Sequence, residues 1–276
     1  MIFSKWHGLG NDFIIAEPDK NPGFDFRAAA EHLCDRHFGI GADGVVTIRP
    51  LGGEAFEMRI YNSDGSETEM CGNATRCVGL YIRRNKLAKG GEFELHTRGG
   101  IVRPKVLDNG TVRVDMGEPH LLRGEIPVAG DPESDARSLS LNLPGIRLEA
   151  VGVSMGNPHA VIFVPDINAI KLEEWGPRIE CDPLFPNKTN VEFVEVISPQ
   201  MVRMRVWERG CGVTLACGTG SCATTVAGVV TGRIGRCITV LLDGGELQIE
   251  YSEADNHVYM TGPACEVFQG AWMERF

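Results

Sequence analysis

No apolar run in the chain approaches the roughly 20 residues that span a membrane, so no membrane partner is expected. The first residues, Met1-Ile2-Phe3-Ser4-Lys5-Trp6-His7, lack a basic segment followed by an apolar one, so a cytoplasmic protein is expected. Neither Cys-x-x-Cys nor His-Glu-x-x-His occurs, which excludes the usual zinc frameworks and predicts no metal. Basic residues are few, 27 against 37 acidic ones, and the resulting charge of −10 argues against a nucleic-acid surface. The nine cysteines are odd in number and follow no secretory signal, which fits reduced thiols and not a disulfide framework. A phosphate or dinucleotide loop is also missing. Gly39-Ile40-Gly41-Ala42-Asp43-Gly44 is only loosely Gly-rich, and it follows a helical pattern instead of a strand. No lysine sits in a Schiff-base context, so a reaction without cofactors is the simpler expectation.

What remains is an ordinary globular composition, 43% hydrophobic and 23% charged over 276 residues. That length allows one large domain or two of about 135 residues. Short alternating segments recur, among them 56–61, 92–96, 111–116, 201–207 and 246–251, and each predicts a half-buried strand. Helical patterns cover 28–36, 74–85, 172–181 and 220–231. Strands outnumber helices without a regular β-α-β alternation, so the fold class is α+β.

The chain also says one thing twice. Cys71-Gly72-Asn73 is answered by Cys217-Gly218-Thr219, and 217 − 71 = 146. The same offset joins Gly10-Asn11 to Gly156-Asn157, and Met58-Arg59-Ile60-Tyr61-Asn62 to Met204-Arg205-Val206-Trp207-Glu208. Three separated matches on one register imply an internal duplication. Two similar domains are therefore expected, each a curved, mostly antiparallel or mixed, barrel-like sheet around a central helix that starts after the cysteine. The helix following Cys217 carries no charge from Ser221 to Val230, which predicts burial on all sides. Boundaries are placed at 1–118 plus 264–276 for the first domain and 119–263 for the second, with 121–149 reading as linker. Gly117 and Gly262 close the two repeats 145 residues apart, one residue short of the main offset.

Each Cys-Gly pair falls at a strand-to-helix junction. Glycine lets backbone approach a ligand, Asn73 and Thr219 are N-cap types, and a helix N-terminus favours a carboxylate and a thiolate. Two thiols facing one carbon from opposite sides are what a racemisation needs: one removes a proton and the other returns it. The plainer reading is two structural cysteines. Asn11, Asn62, Asn157 and Asn190 offer amides that bind carboxylate and ammonium groups without adding charge, though Asn beside Gly or Pro also simply makes turns. Glu208-Arg209, nine and eight residues before Cys217, suits an ammonium and a carboxylate. His159 is a candidate for tuning a nearby thiol, or a hydrogen-bonded turn residue.

Taken in order, the segments His7-Gly8-Leu9-Gly10-Asn11-Asp12-Phe13, Asn62-Ser63-Asp64-Gly65-Ser66, Cys71-Gly72-Asn73-Ala74-Thr75-Arg76-Cys77, Ser154-Met155-Gly156-Asn157-Pro158-His159, Glu208-Arg209-Gly210 and Ala216-Cys217-Gly218-Thr219-Gly220 resemble diaminopimelate epimerase. The resemblance runs nearly end to end and includes Tyr259-Met260-Thr261-Gly262. It implies a cofactor-independent two-base epimerase, interconverting L,L- and meso-diaminopimelate on the route to lysine and peptidoglycan. It implies Cys71 and Cys217 as the base/acid pair, in a cleft between the domains. Asn11, Asn62, Asn157, Asn190, Glu208 and Arg209 fall on substrate-binding positions, and Gly72-Asn73 with Gly218-Thr219 on a backbone cradle for the carboxylate. His159 and Glu208 fall on positions that tune the cysteines. The resemblance further implies a homodimer and a C-terminal tail packed on the first domain. Gly44 stands where some members carry a substrate-binding Gln.

Three other readings fit parts of the pattern. A proline or hydroxyproline racemase shares the two-thiol arrangement, but would grip a ring with an apolar pocket. A cysteine hydrolase using Cys217 and His159 leaves Cys71 and the repeat unexplained. A non-catalytic amino-acid-binding module has no need of both thiols.

Overall fold

The structure is a computed structural model that describes residues 1–273; residues 274–276, the end of the expected C-terminal tail, lie outside the described residues. The chain divides into two compact units, Met1–Asp115 with the chain from Thr261 on, and Met116–Met260.

In the first unit β1 (Ile2–Gly8), β2 (Asn11–Ala16), helix α1 (Phe26–Cys34), β3 (Gly44–Gly52), β4 (Ala55–Asn62), β5 (Glu67–Thr68), helix α2 (Gly72–Arg84), β6 (Glu94–Thr97), β7 (Gly100–Val102), β8 (Lys105–Val106) and β9 (Val112–Asp115) follow in order. In the second, β10 (Leu139–Leu143), β11 (Ile146–Ser154), β12 (Pro158–Phe163), helix α3 (Leu172–Glu180), β13 (Asn190–Ser198), β14 (Met201–Glu208), β15 (Gly212–Thr214), helix α4 (Gly218–Val230), β16 (Cys237–Leu242), β17 (Gly245–Tyr251) and β18 (Val258–Gly262) follow, and β19 (Cys265–Ala271) returns to the first. The first sheet runs β19-β1-β2-β3-β4-β6-β7, and the second includes the run β10-β11-β12-β13-β14-β16-β17-β18. Both are mixed: β2–β3 and β4–β6 pair parallel in one, β12–β13 and β14–β16 in the other.

The duplication is visible residue by residue. Phe13 pairs with Gly44 as His159 pairs with Asn190, and both members shift by 159 − 13 = 146. The offset holds through α2 and α4, which start at Gly72 and Gly218 and end at Arg84 and Val230. It then drops by one. Ala55 pairs with Glu94 whereas Met201 pairs with Thr239, and 239 − 94 = 145. The second half is therefore one residue shorter between its helix and the next strand.

The four helices expected at 28–36, 74–85, 172–181 and 220–231 lie at 26–34, 72–84, 172–180 and 218–230. Helix α4 is buried through most of its length, as its lack of charge predicts, and packs against β11, β12, β13, β14 and β17. Helix α2 packs against β1, β2, β8, β9 and β19. Its one early charge, Arg76, is fully buried and donates from Nε to the Pro263 carbonyl at 3.2 Å.

The segment 121–149, read as linker, is built into the second unit. Ile126, Val128, Ala136, Leu139 and Leu141 are buried and join the core that contains Ile162, Ile179 and Phe193. Gly, Pro and charged residues break up the periodicity there, so the buried positions carry no repeating signal. Among the described residues, no helix is long and apolar enough to cross a membrane. Among them, no group of three or more His, Cys, Asp or Glu side chains is placed to hold a metal.

Candidate active site

Helices α2 and α4 each start at a Cys-Gly step, and the cysteine itself is the cap. Cys71 has φ −143°, ψ 117° and Cys217 has φ −122°, ψ 114°, extended values from which the chain turns into the helix. Asn73 and Thr219, expected as cap residues from their type, are instead the second residues of their helices. The first-turn N–H groups of both helices point back toward the cysteine, the end at which a negative charge is favoured. At Cys217 that contact is explicit, since Sγ accepts from the Gly220 N–H at 3.3 Å and lies 3.5 Å from Thr219 Oγ1.

In the first unit the tight β1–β2 turn presents Asn11. Leu9 adopts a left-handed conformation with φ 57°, and Gly10 follows at φ 91°, which brings Asn11 opposite Gly8. Asn11 Nδ2 donates to Asp43 Oδ2 at 2.7 Å. A carboxylate only accepts, so this bond fixes the amide orientation. Oδ1 then accepts from Asn73 Nδ2 at 3.1 Å and lies 3.8 Å from Cys71 Sγ. Asp43 is anchored by Arg36, which also forks onto Asp12 with bonds of 3.1 and 2.8 Å. Lys5 adds an ion pair to Asp12 at 2.7 Å. Burial alone would raise the Asp12 carboxyl, but Arg36 and Lys5 outweigh it and hold it down at about 2. Asn62 lies across the sheet from Gly44 and donates to Ser66 Oγ at 3.0 Å. A side chain at Gly44 would bring its Cβ to 2.8 Å from the Tyr61 carbonyl, so backbone packing disfavours any side chain there.

The second unit gathers Asn157, His159, Asn190, Glu208, Arg209 and Thr219 around Cys217. Asn157 Nδ2 donates to Thr219 Oγ1 at 3.4 Å, and its Oδ1 faces His159 Nε2 at 3.0 Å. The other ring nitrogen, Nδ1, meets Glu192 Oε1 at 2.7 Å, with both side chains fully buried. Asn190 donates to the Pro158 carbonyl and accepts from the Arg209 N–H, each at 2.8 Å. One N–H and one lone pair of that amide remain for a ligand. Glu208 Oε1 accepts from Thr214 Oγ1. Arg209 reaches the Asn187 carbonyl at 3.3 Å. The 207–210 corner rests on α3: Trp207 Nε1 donates to Glu180 Oε2 at 2.7 Å and Gly210 N to Glu180 Oε1 at 3.2 Å. Gly176 makes this possible, because a Cβ there would lie 2.5 Å from the Trp207 ring.

Electrostatically, burial pushes the Cys217 thiol well above its ordinary range, and the neighbouring Glu208 and Glu192 push it further. Thr219 and the Gly220 N–H pull the other way without reversing it. Burial likewise raises Glu208, against a hydrogen bond from Thr214. Glu192, Asp43 and Thr214 were not singled out from the sequence. Glu192 had a signal: it shares a face with Asn190 inside the otherwise apolar strand Val191-Glu192-Phe193-Val194.

A family model for diaminopimelate epimerase matches residues 3–122 and 151–267. The chain belongs to the diaminopimelate epimerase family. A diaminopimelate epimerase of Moorella thermoacetica is 50% identical over 276 residues, covering 98% of each chain. One of Pelotomaculum thermopropionicum is 50% identical over the whole of both. Among solved structures the family's fold recurs at low identity. A Bacillus anthracis phenazine biosynthesis protein of the PhzF family superposes with TM-score 0.72 at 14% identity, over 99% of each chain. A hydroxyproline epimerase of Agrobacterium vitis gives 0.67 at 16% identity, covering 98% of this chain and 90% of that one. These two likenesses concern the fold alone.

Proposed function

We propose that this chain interconverts L,L- and meso-diaminopimelate by removing the α-proton with one cysteine and returning a proton with the other. The observation that carries the reading is the paired environment of the thiols. Each starts a helix, each is followed by glycine at the first helical position, and a hairpin asparagine reaches each helix start, Asn11 at Cys71 and Asn157 at Thr219. Membership in the family supports the same reading.

The free N–H groups at the start of each helix bind the α-carboxylate and favour the charge that develops as the α-proton leaves. Cys71 and Cys217 work from opposite faces of the α-carbon, so the proton lost and the proton gained differ in source and the configuration inverts. Burial keeps Cys217 a neutral thiol in the unliganded protein, which casts it as the resting acid. Cys71, only partly buried, is then the base. Asn11, Asn62, Asn157 and Asn190 hold the amino-acid ends, Glu208 takes an ammonium and Arg209 a carboxylate. Chemistry of this kind asks no electron sink of a cofactor. The same reading makes the protein a cytoplasmic homodimer that supplies a precursor of lysine and peptidoglycan.

Incubation with L,L-diaminopimelate in deuterated water tests this directly. Proton NMR should show loss of the α-hydrogen signal together with appearance of the meso isomer. Absence of both the meso isomer and α-deuterium would remove the assignment.

A further inference from the structure

Behind the corner that carries Glu208 and Arg209 stands a buried carboxylate with no counterpart in the first half. Helices α1 and α3 are repeats of one another, since 172 − 26 and 180 − 34 are both 146. Their last residues differ, Cys34 in the first and Glu180 in the second. Cys34 lies in an apolar core against which Tyr61 packs. Glu180 is as deeply buried, and it meets Trp207, the repeat counterpart of Tyr61.

The three partners of Glu180 are all donors. Oε2 accepts from Trp207 Nε1 at 2.7 Å, and Oε1 accepts from the Gly210 N–H at 3.2 Å and lies 3.4 Å from Lys188 Nζ. An indole N–H and a backbone N–H can only donate, so a carboxylate is the form that serves both oxygens. Burial raises this carboxyl, but Trp207, Gly210 and Lys188 outweigh it and hold it below the usual carboxylate range.

Those donors come from two segments that carry candidate ligand groups. The Cys211 N–H donates to the Glu208 carbonyl at 3.0 Å, closing a turn over 208–211 with Gly210 third in it at φ 78°. The Arg209 N–H donates to Asn190 Oδ1 at 2.8 Å, and its guanidinium reaches the Asn187 carbonyl. Glu180 thus joins 187–190 to 207–210, and Asn190, Glu208 and Arg209 all hang on that junction.

We propose that Glu180 is a positioning residue for substrate recognition: it holds the Trp207 indole and the Gly210 N–H together, and so sets the turn from which Glu208 and Arg209 reach the second amino-acid end of the substrate. The part played by substrate rests on the epimerase reading; the hold on the turn does not. Both thiols cap other helices, so losing Glu180 weakens binding more than it slows proton transfer.

Glu180→Gln keeps the shape but offers one oxygen and one NH2, which leaves one of the two N–H groups facing a donor. In steady-state kinetics with L,L-diaminopimelate, KM should rise about 10-fold while kcat changes less than about 3-fold, the scale of one hydrogen bond to a charged group. Glu180→Asp keeps both oxygens and should recover part of the KM; it reads the same split if E180Q does not fold. Hydrogen exchange followed by NMR should find the Gly210 amide protected in the unsubstituted protein. In E180Q either that amide or the Trp207 indole N–H should exchange faster while β13 stays protected, which separates a loosened turn from general unfolding. An unprotected Gly210 amide in the unsubstituted protein overturns the proposal and needs no variant. So does E180Q with an unmoved KM, or with both N–H groups exchanging as before. If the unsubstituted protein shows no epimerisation, the reading of its function fails, while exchange at Gly210 and Trp207 still decides whether Glu180 holds the turn.

Discussion

Asn11 and Asn157 stand at equivalent places in the two halves, yet they turn opposite ends of the amide toward the helix start that carries the cysteine. Asn11 is tied through its NH2 to Asp43 and presents its oxygen to Asn73 and Cys71. Asn157 is tied through its oxygen to His159 and presents its NH2 to Thr219. The anchors differ in kind. In the first half they form a partly exposed network of Arg36, Asp12, Asp43 and Lys5. In the second they are a His–Glu pair shut away from water. The repeat positions of His159 and Glu192 in the first half are Phe13 and Val46, both apolar and buried. A duplicated frame has therefore kept the thiol, the glycine and the helix, and has changed the polarity of the group beside each thiol. Proton removal and return require equivalent acids and bases. Distinguishing two configurations of one substrate requires inequivalent surroundings.

The largest expected effect removes what the halves share. Cys71→Ala and Cys217→Ala should each lower epimerisation by about 10³-fold or more, the scale of losing a general acid or base. A single variant with near-native turnover in the isomer assay would break the symmetry of roles.

A smaller effect probes what they do not share. The repeat positions of Gly220 and Glu192 in the first half are Ala74 and Val46. Gly220→Ala should cost about 1–3 kcal/mol by overpacking against the Glu192 carboxylate. In a Glu192→Val background the same substitution should cost less, because only the Cys217 contacts at 3.2 and 3.3 Å remain tight. Denaturant melts of the four proteins of this cycle check it; equal costs in both backgrounds would mean that the glycine serves some other neighbour.

The smallest effects are in the pH dependence of stability. The Asp12 carboxyl is depressed to about 2, so its contribution is present above the ordinary carboxylate range near 3.8 and is lost as pH falls through about 2. Asp12→Asn should flatten the acid limb of the melting-temperature profile. On the alkaline side the thiols of Cys34 and Cys77 are raised to about 11 and about 12 by burial. Their contribution is complete below the ordinary value of 9.0 and is lost as pH climbs through 11 to 12. An acid limb that ignores Asp12→Asn would place the sensitivity outside the first half's network.

Much of this frame was legible before the structure. The offset of 146 residues between Cys71 and Cys217 recurs in the strand registers of both sheets. The one-residue slip inferred from Gly117 and Gly262 falls in the connection after the helices. The charge-free stretch after Cys217 is the buried helix it promised. Composition and period report burial and spacing, and those were the quantities needed. What stayed hidden depends on direction. Residue type made Asn73 and Thr219 look like caps, but the chain turns two residues earlier, at the cysteines. The segment 121–149 buries side chains without any period, so its part in the core had no pattern to show. Asp43 and Glu192 act through the groups they orient, and nothing in a linear sequence says which amide a carboxylate will face.

The pairing of β1 with β19 has a consequence for the order of synthesis. Residues 2–7 find their neighbours at 265–271, on the far side of everything that builds the second unit. While the chain is being made, β1 can take β2 on one flank, but its other flank waits for nearly the whole remainder. The first half emerges first and is completed last, with an open strand edge exposed to other nascent chains in the interval. The second half has its sheet available from a contiguous stretch of chain. Early assembly thus falls to the later-made unit, and the late-arriving strand makes folding of the first a matter of the whole chain.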